Sequence, residues 1–133
     1  VTRSLETAHI DASRGAASRA PGLRLLVLHG SRARDDARPE SDWDFAYLAD
    51  ATFDPDGLRA ELAERLRSDG VDLADLARAG GQLRFRVARD GVVVFEARPG
   101  EWEGFWLEAV TFWCDVAPVL QPAYDSLLAE LPR

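Results

Sequence analysis

The sequence has no lysine, no asparagine and no methionine, and a single isoleucine, Ile10. All 16 basic residues are therefore arginine, a bias that reflects a GC-rich coding sequence more than a selected surface. Cysteine is nearly absent too. Cys114 stands alone, which excludes an intrachain disulfide and any cysteine-based zinc site, and fits a reducing compartment. No run approaches the ~18 consecutive apolar residues of a membrane span. The opening VTRSLETAHIDASRG lacks the apolar stretch of an export signal, so the chain is expected to stay in the cytoplasm, off the membrane. Position 1 is Val, which fits either a GTG start or the loss of a preceding segment. Positive charge is in deficit: 23 Asp and Glu leave a formal charge of −7, a field that repels polyphosphate backbones and disfavours direct nucleic-acid binding.

What is present suits a folded domain. A length of 133 residues, 47% apolar and 29% charged, supports one domain with one modest core. Ser4 to Ser18 carries Leu5, Ala8, Ala12 and Ala16 at helical spacing and ends in Ala20-Pro21-Gly22. Leu23 to Leu28 is a short apolar run that stops at His29-Gly30-Ser31, as a buried strand feeding a tight turn would. Arg32 to Ser41 is charged and poor in apolar residues, which fits a surface loop or a polar helical turn.

Asp42 to Leu48 alternates, with Asp42, Asp44, Ala46 and Leu48 on one side and Trp43, Phe45 and Tyr47 on the other, so it reads as a strand. A helix is expected through Arg67, with Leu58, Leu62 and Leu66 four apart, then a strand over Val71 to Leu76. A short helix to Ala88, a turn at Asp90-Gly91 and a strand over Val92 to Phe95 follow. From Trp102 to Leu131 the spacing fits a helix that Pro118 and Pro122 should kink or split. The predicted class is α/β: a small mixed sheet in a core of about residues 23–96, helices mainly on one face, and a C-terminal helical segment over about 101–131.

One constellation stands above this background. Gly30-Ser31, ten residues, then Asp42-Trp43-Asp44, taken with Val71-Asp72-Leu73, puts three carboxylates on two predicted strands beyond a glycine turn. Strands normally exclude such charge, because a desolvated, unpaired carboxylate costs several kcal/mol. Three anions meeting without a cation repel; with two Mg²⁺ ions the arrangement becomes favourable, since hard cations take carboxylate and phosphate oxygens. Gly30 lets a phosphate approach the backbone, the Ser31 hydroxyl and nearby N–H groups can donate to it, and Arg32 and Arg34 can neutralise a triphosphate. The chemistry this suits is nucleotidyl transfer, with Asp42 and Asp44 holding the ions and Asp72 completing the set and accepting the proton of the attacking hydroxyl. Asp75, also flanked by apolar residues, is the rival to Asp72, but alternation puts it on the opposite face.

Leu28-His29-Gly30-Ser31-Arg32-Ala33-Arg34 followed by Ser41-Asp42-Trp43-Asp44-Phe45 resembles the signature of the polymerase-β-type nucleotidyltransferase superfamily, and the short length and gap are most similar to its minimal (MNT) branch. The likeness extends through Val71-Asp72-Leu73 and Asp90-Gly91-Val92-Val93-Val94-Phe95-Glu96. His29 stands where that branch often has Phe, and Asp35 where it often has Gly. The resemblance implies Mg²⁺-dependent use of ATP and transfer of AMP to a tyrosine of a partner HEPN ribonuclease toxin. The chain would then be that toxin's antitoxin and form a hetero-oligomer with it. Two alternatives stand beside this one. Small-molecule nucleotidyltransferases such as those acting on aminoglycosides share the core but usually carry an extra helical domain, and an antitoxin can also mask its toxin without catalysis.

Residues outside this set have plainer expectations. His29, ending a buried strand, is expected to be structural. Trp102, Trp106, Phe112 and Trp113, with Leu107 and Val110, are expected mostly to pack on the sheet, with room left for an exposed anchor, and Cys114 to be a small buried apolar residue.

Overall fold

The structure, a computed structural model, describes residues 2–34 and 37–130. Helix α1 (Thr2–Ser18) leads to strand β1 (Leu23–His29), a single 3-10 turn (Gly30–Arg32) and β2 (Trp43–Ala49). After these come α2 (Pro55–Leu66), β3 (Val71–Asp75), α3 (Gly81–Asp90), β4 (Val92–Glu96) and α4 (Glu101–Glu130). The sheet order is β3-β2-β1-β4, with β1 antiparallel to both β2 and β4, and β2 parallel to β3. The parallel pair needs a crossover, and α2 supplies it.

The helices cover both faces, not mainly one. Leu26, Leu28, Trp43, Phe45 and Tyr47 pack with Ala16 and Ala17 of α1 and with Leu58, Leu62 and Leu66 of α2. Leu25, Val27 and Ala46 meet Val87 and Ala88 of α3 and Phe105 and Ala109 of α4 on the other side. The cause is the continuous run Leu25-Leu26-Val27-Leu28: both sets of alternate side chains are apolar, so a central strand of this kind needs cover on both faces. Arg14 pins α1 to the sheet, its Nε donating to the Val94 carbonyl at 3.0 Å. Arg65 of α2 lies against Gly15 of α1, where a side chain would collide with its guanidinium.

Helix α4 runs through Pro118 and Pro122 without splitting. Proline's fixed φ is compatible with a helix, and residues four apart lie on one side of it, so the missing N–H bonds fall on a single strip. Only part of its aromatic set packs as expected: Phe105 is buried, while Trp106 and Phe112 are exposed, as is Cys114. Among the described residues no helix is long and apolar enough to cross a membrane.

Candidate active site

Strand β1 ends with His29 extended and Gly30 at φ +74°, the left-handed region that favours glycine. The turn then closes as the N–H groups of Ala33 and Arg34 both donate to the Gly30 carbonyl at 3.2 Å. Space demands glycine here as well. A Cβ on Gly30 would collide with Oδ2 of Asp44, so the Asp44 carboxylate lies directly against the turn. Asp42 rests in the same way on Gly70, where a Cβ would collide with its Oδ1. The Trp43 N–H donates to the Gly70 carbonyl at 2.7 Å and locks the start of the β2–β3 pairing.

Register decides which acids share a face. Asp44 pairs with His29 on one side and with Asp72 on the other. Cross-strand partners project to the same side of a sheet, so His29, Asp44 and Asp72 share the α3/α4 face, and Asp42, two residues before Asp44, is in phase with them. Asp75 pairs with Tyr47 on the opposite face, where its carboxylate accepts from the Ala77 N–H at 2.9 Å and lies 3.8 Å from Arg78. Asp44 is half-buried, while Asp42 and Asp72 are exposed. Among the described residues, no three His, Cys, Asp or Glu side chains close into a single metal-ligating group. The backbone aligns these acids, and mutual repulsion favours their carboxylates standing apart. Their donor chemistry fits a hard divalent cation: carboxylate oxygens on one face, with two glycines where bulk would block them.

Arg32 is engaged away from the space above the turn. Arg32 spends its donors on the following loop: Nε and Nη2 donate to the Ser41 carbonyl at 3.2 and 2.8 Å, and Nη2 to the Pro39 carbonyl at 3.2 Å. Its guanidinium also stacks 3.9 Å over the Trp43 ring. Loop carbonyls with no ladder partner compete successfully for this cation, so Arg32 clamps the segment that delivers Asp42 instead of reaching into the space above the turn. Arg34 is exposed, and its charge acts on Asp90. The Asp90 carboxyl is held below the ordinary carboxylate range, first by a hydrogen bond from Arg89 and then by the charges of Arg89 and Arg34. Ser31 is half-buried within the turn, which packs against β2.

Behind the turn, on the α1 face, Trp43 anchors a second small assembly. His9 meets its ring edge-on at 5.0 Å. Burial, and secondarily the charge of Arg32, push the His9 imidazole below its ordinary value. A cavity of about 150 Å³ opens there, lined by Ile10, Leu28, Arg32 and Val92 among others. On the opposite face His29 lies beside Asp44, its Nε2 buried with no hydrogen-bond partner among the described residues. Sequence reasoning missed the cradle at Gly70 and the clamp at Arg32. The first left no signal, since the strand that approaches it is remote in sequence; the second was hinted at by a Trp directly after the acidic loop end.

Over residues 15–99 the sequence matches the family described as polymerase beta, nucleotidyltransferase. It is 35% identical over 98 residues to the protein adenylyltransferase MntA of Aphanizomenon flos-aquae (strain 2012/KM1/D3), covering 64% of this chain and 65% of that relative's length. The fold is similar, at a TM-score of 0.71 and 28% identity, to a chain in the crystal structure of a toxin–antitoxin with AMP-PNP, covering 92% of this chain and 98% of that one. It is also similar, at a TM-score of 0.66 and 26% identity, to a chain in the complex of tri-AMPylated Shewanella oneidensis HEPN toxin with MNT antitoxin, covering 96% and 99%. The family match takes in the glycine turn and all three candidate acids over well more than half the sequence, and this chain belongs to the polymerase beta nucleotidyltransferase family.

Proposed function

We propose that this chain is a protein adenylyltransferase of the MNT type, acting in the cytoplasm as the antitoxin of a HEPN ribonuclease toxin. It transfers AMP from ATP to a tyrosine hydroxyl of that toxin. The observation that carries the reading is the register that sets Asp44, lying against the Gly30 turn, beside Asp72, with Asp42 in phase two residues earlier against Gly70. Similarity to an adenylyltransferase and to a complex containing an AMPylated toxin supports the substrate and the partner.

In this reading Asp42, Asp44 and Asp72 hold two Mg²⁺ ions. When bound, these neutralise the triphosphate and lower the pKa of the acceptor hydroxyl. Asp72, exposed on the edge strand, accepts the proton of the attacking tyrosine. A bond forms between the tyrosine oxygen and the α-phosphorus as the bond from that phosphorus to the α–β bridging oxygen breaks, and pyrophosphate leaves. Gly30 and Ser31 receive the phosphates at a turn with no side chain in the way. Arg32 acts by holding Asp42 in place through the Ser41 carbonyl. The decisive experiment combines the chain, MgATP and the HEPN protein of the same genome, with mass spectrometry of the toxin. An AMP-sized increment on tyrosine, lost with Asp42→Ala plus Asp44→Ala, supports the reading. Neutralisation of the toxin with no increment, undiminished in the double variant, overturns it in favour of masking.

A further inference from the structure

Helix α4 is longer than the body it covers. Its 30 residues extend roughly 45 Å, whereas the longest strands, of 7 residues, span roughly 23 Å. Phe105 and Ala109 are its buried core residues, with Trp102 and Val110 packed beside them. Further along, Phe112 fills the space left by the absent side chain of Gly81, and Trp113 stacks on Phe85 of α3 at 5.4 Å. Past Trp113, none of the described side chains belongs to the core.

The large apolar residues left in water are concentrated on this helix: Trp106 is 43% exposed, Phe112 52% and Leu107 62%. Val110 and Trp113 are taken up by the core and by Phe85, so the apolar seam α4 turns outward is the adjacent pair Trp106 and Leu107. Exposed apolar residues of this kind on a helix suit the apolar face of another helix. Charge identifies which kind. The helix contains Glu101, Glu103, Glu108, Asp115, Asp125 and Glu130 and no basic residue at all. Glu101 is bonded to Arg24 at 2.8 Å and Glu108 lies 3.7 Å from Arg84, while Glu103 and Asp115 are exposed. A second copy would bring an equally acidic helix to the seam, and each copy carries a formal charge of −7. A helix with an apolar face and Arg or Lys flanks meets attraction instead.

We propose that the outward seam of α4, formed by Trp106 and Leu107, docks a basic-flanked amphipathic helix of the toxin; this rests on the reading of the chain as a HEPN antitoxin. Docking and chemistry lie on separate elements. Helix α4 begins at the end of the sheet where Glu101 meets Arg24, near the start of β1, whereas Asp44 pairs with His29 at the other end of that strand. Seam variants therefore uncouple the two.

The test uses Leu107→Arg, at the most exposed position, and Trp106→Ser with Leu107→Arg, measuring the Kd for the HEPN protein and for ATP by calorimetry, and mass by sedimentation. The expected result is a toxin Kd weakened at least 30-fold by Leu107→Arg and more by the pair, with ATP binding within twofold of the parent. Glu103→Arg adds a weakening of several-fold that shrinks in high salt. Toxin binding unchanged in both seam variants, with AMP transfer intact, overturns the docking proposal and leaves the proposed activity standing. A parent chain that self-associates, and becomes monomeric with Leu107→Arg, overturns it in favour of a dimer. A parent chain that neither binds nor modifies the toxin removes the underlying reading.

Discussion

Replacing Arg32 tests whether this cation holds the loop or holds phosphate. In Arg32→Ala the Ser41 carbonyl loses two guanidinium donors, the Pro39 carbonyl loses one and the Trp43 face loses its stacked cation. The paired donation to Ser41, counted as one charge-assisted contact, contributes about 1.5–2 kcal/mol. The stack adds about 0.5–1 kcal/mol at a half-exposed site. The expected loss is therefore about 2–3 kcal/mol, a fall in Tm of roughly 6–12 °C for a domain of this size. Arg32→Lys sharpens the comparison, because an ammonium keeps the charge but cannot span the same carbonyls with a planar fork. Denaturant melts of both variants, alongside ATP titrations, separate the two roles. A clamp predicts that Lys rescues little of the lost stability. If both variants melt like the parent and only ATP affinity falls, with Lys restoring most of it, Arg32 is a phosphate ligand and the clamp assignment is wrong.

Gly30→Ala should cost at least about 1–2 kcal/mol from the left-handed backbone alone and should displace Asp44, so melting temperature and AMP transfer fall together. Gly70→Ala carries no such backbone penalty but drives a Cβ into the Asp42 carboxylate; transfer should drop by a larger factor than stability accounts for, as kcat against chemical melts would record. His9 is protonated less readily folded than unfolded, so its contribution to stability is whole above its ordinary value of 6.5 and declines as the pH falls through that value towards the lower folded one. His9→Phe should flatten the stability profile between about pH 7 and 5, and a profile parallel to the parent's would contradict this. Leu26→Ala, in the fully buried centre of β1, should cost about 2–5 kcal/mol in equilibrium unfolding.

The readable parts of this fold were those governed by short-range periodicity. Alternation through Trp43, Asp44 and Phe45 locates β2 and puts its two acids on one side, and the same parity separates Asp72 from Asp75. The four-residue spacing of Leu58, Leu62 and Leu66 located α2 and its buried face. What escaped depended on neighbours remote along the chain. An apolar run such as that in β1 signals burial on both faces, yet it does not say which helices provide the cover. Nothing local marks Gly70, because its demanding contact, with Asp42, comes from another strand. The donors of Arg32 were assigned by charge, which suggested phosphate; the geometry of unpaired loop carbonyls, invisible in sequence, took them instead.

The strand bearing Asp72 is the outermost on its side of the sheet, with β2 its one strand partner and Val71 and Leu73 packed against α2. Border segments of this kind open with less free energy than the molecule as a whole. Mild urea should therefore silence the proposed AMP transfer while circular dichroism is still native, and hydrogen exchange should report the amides of Val71 to Asp75 as unprotected at the same concentration. A cell that warms or stresses such a protein would, on the proposed function, lose AMP transfer first and the folded protein only later.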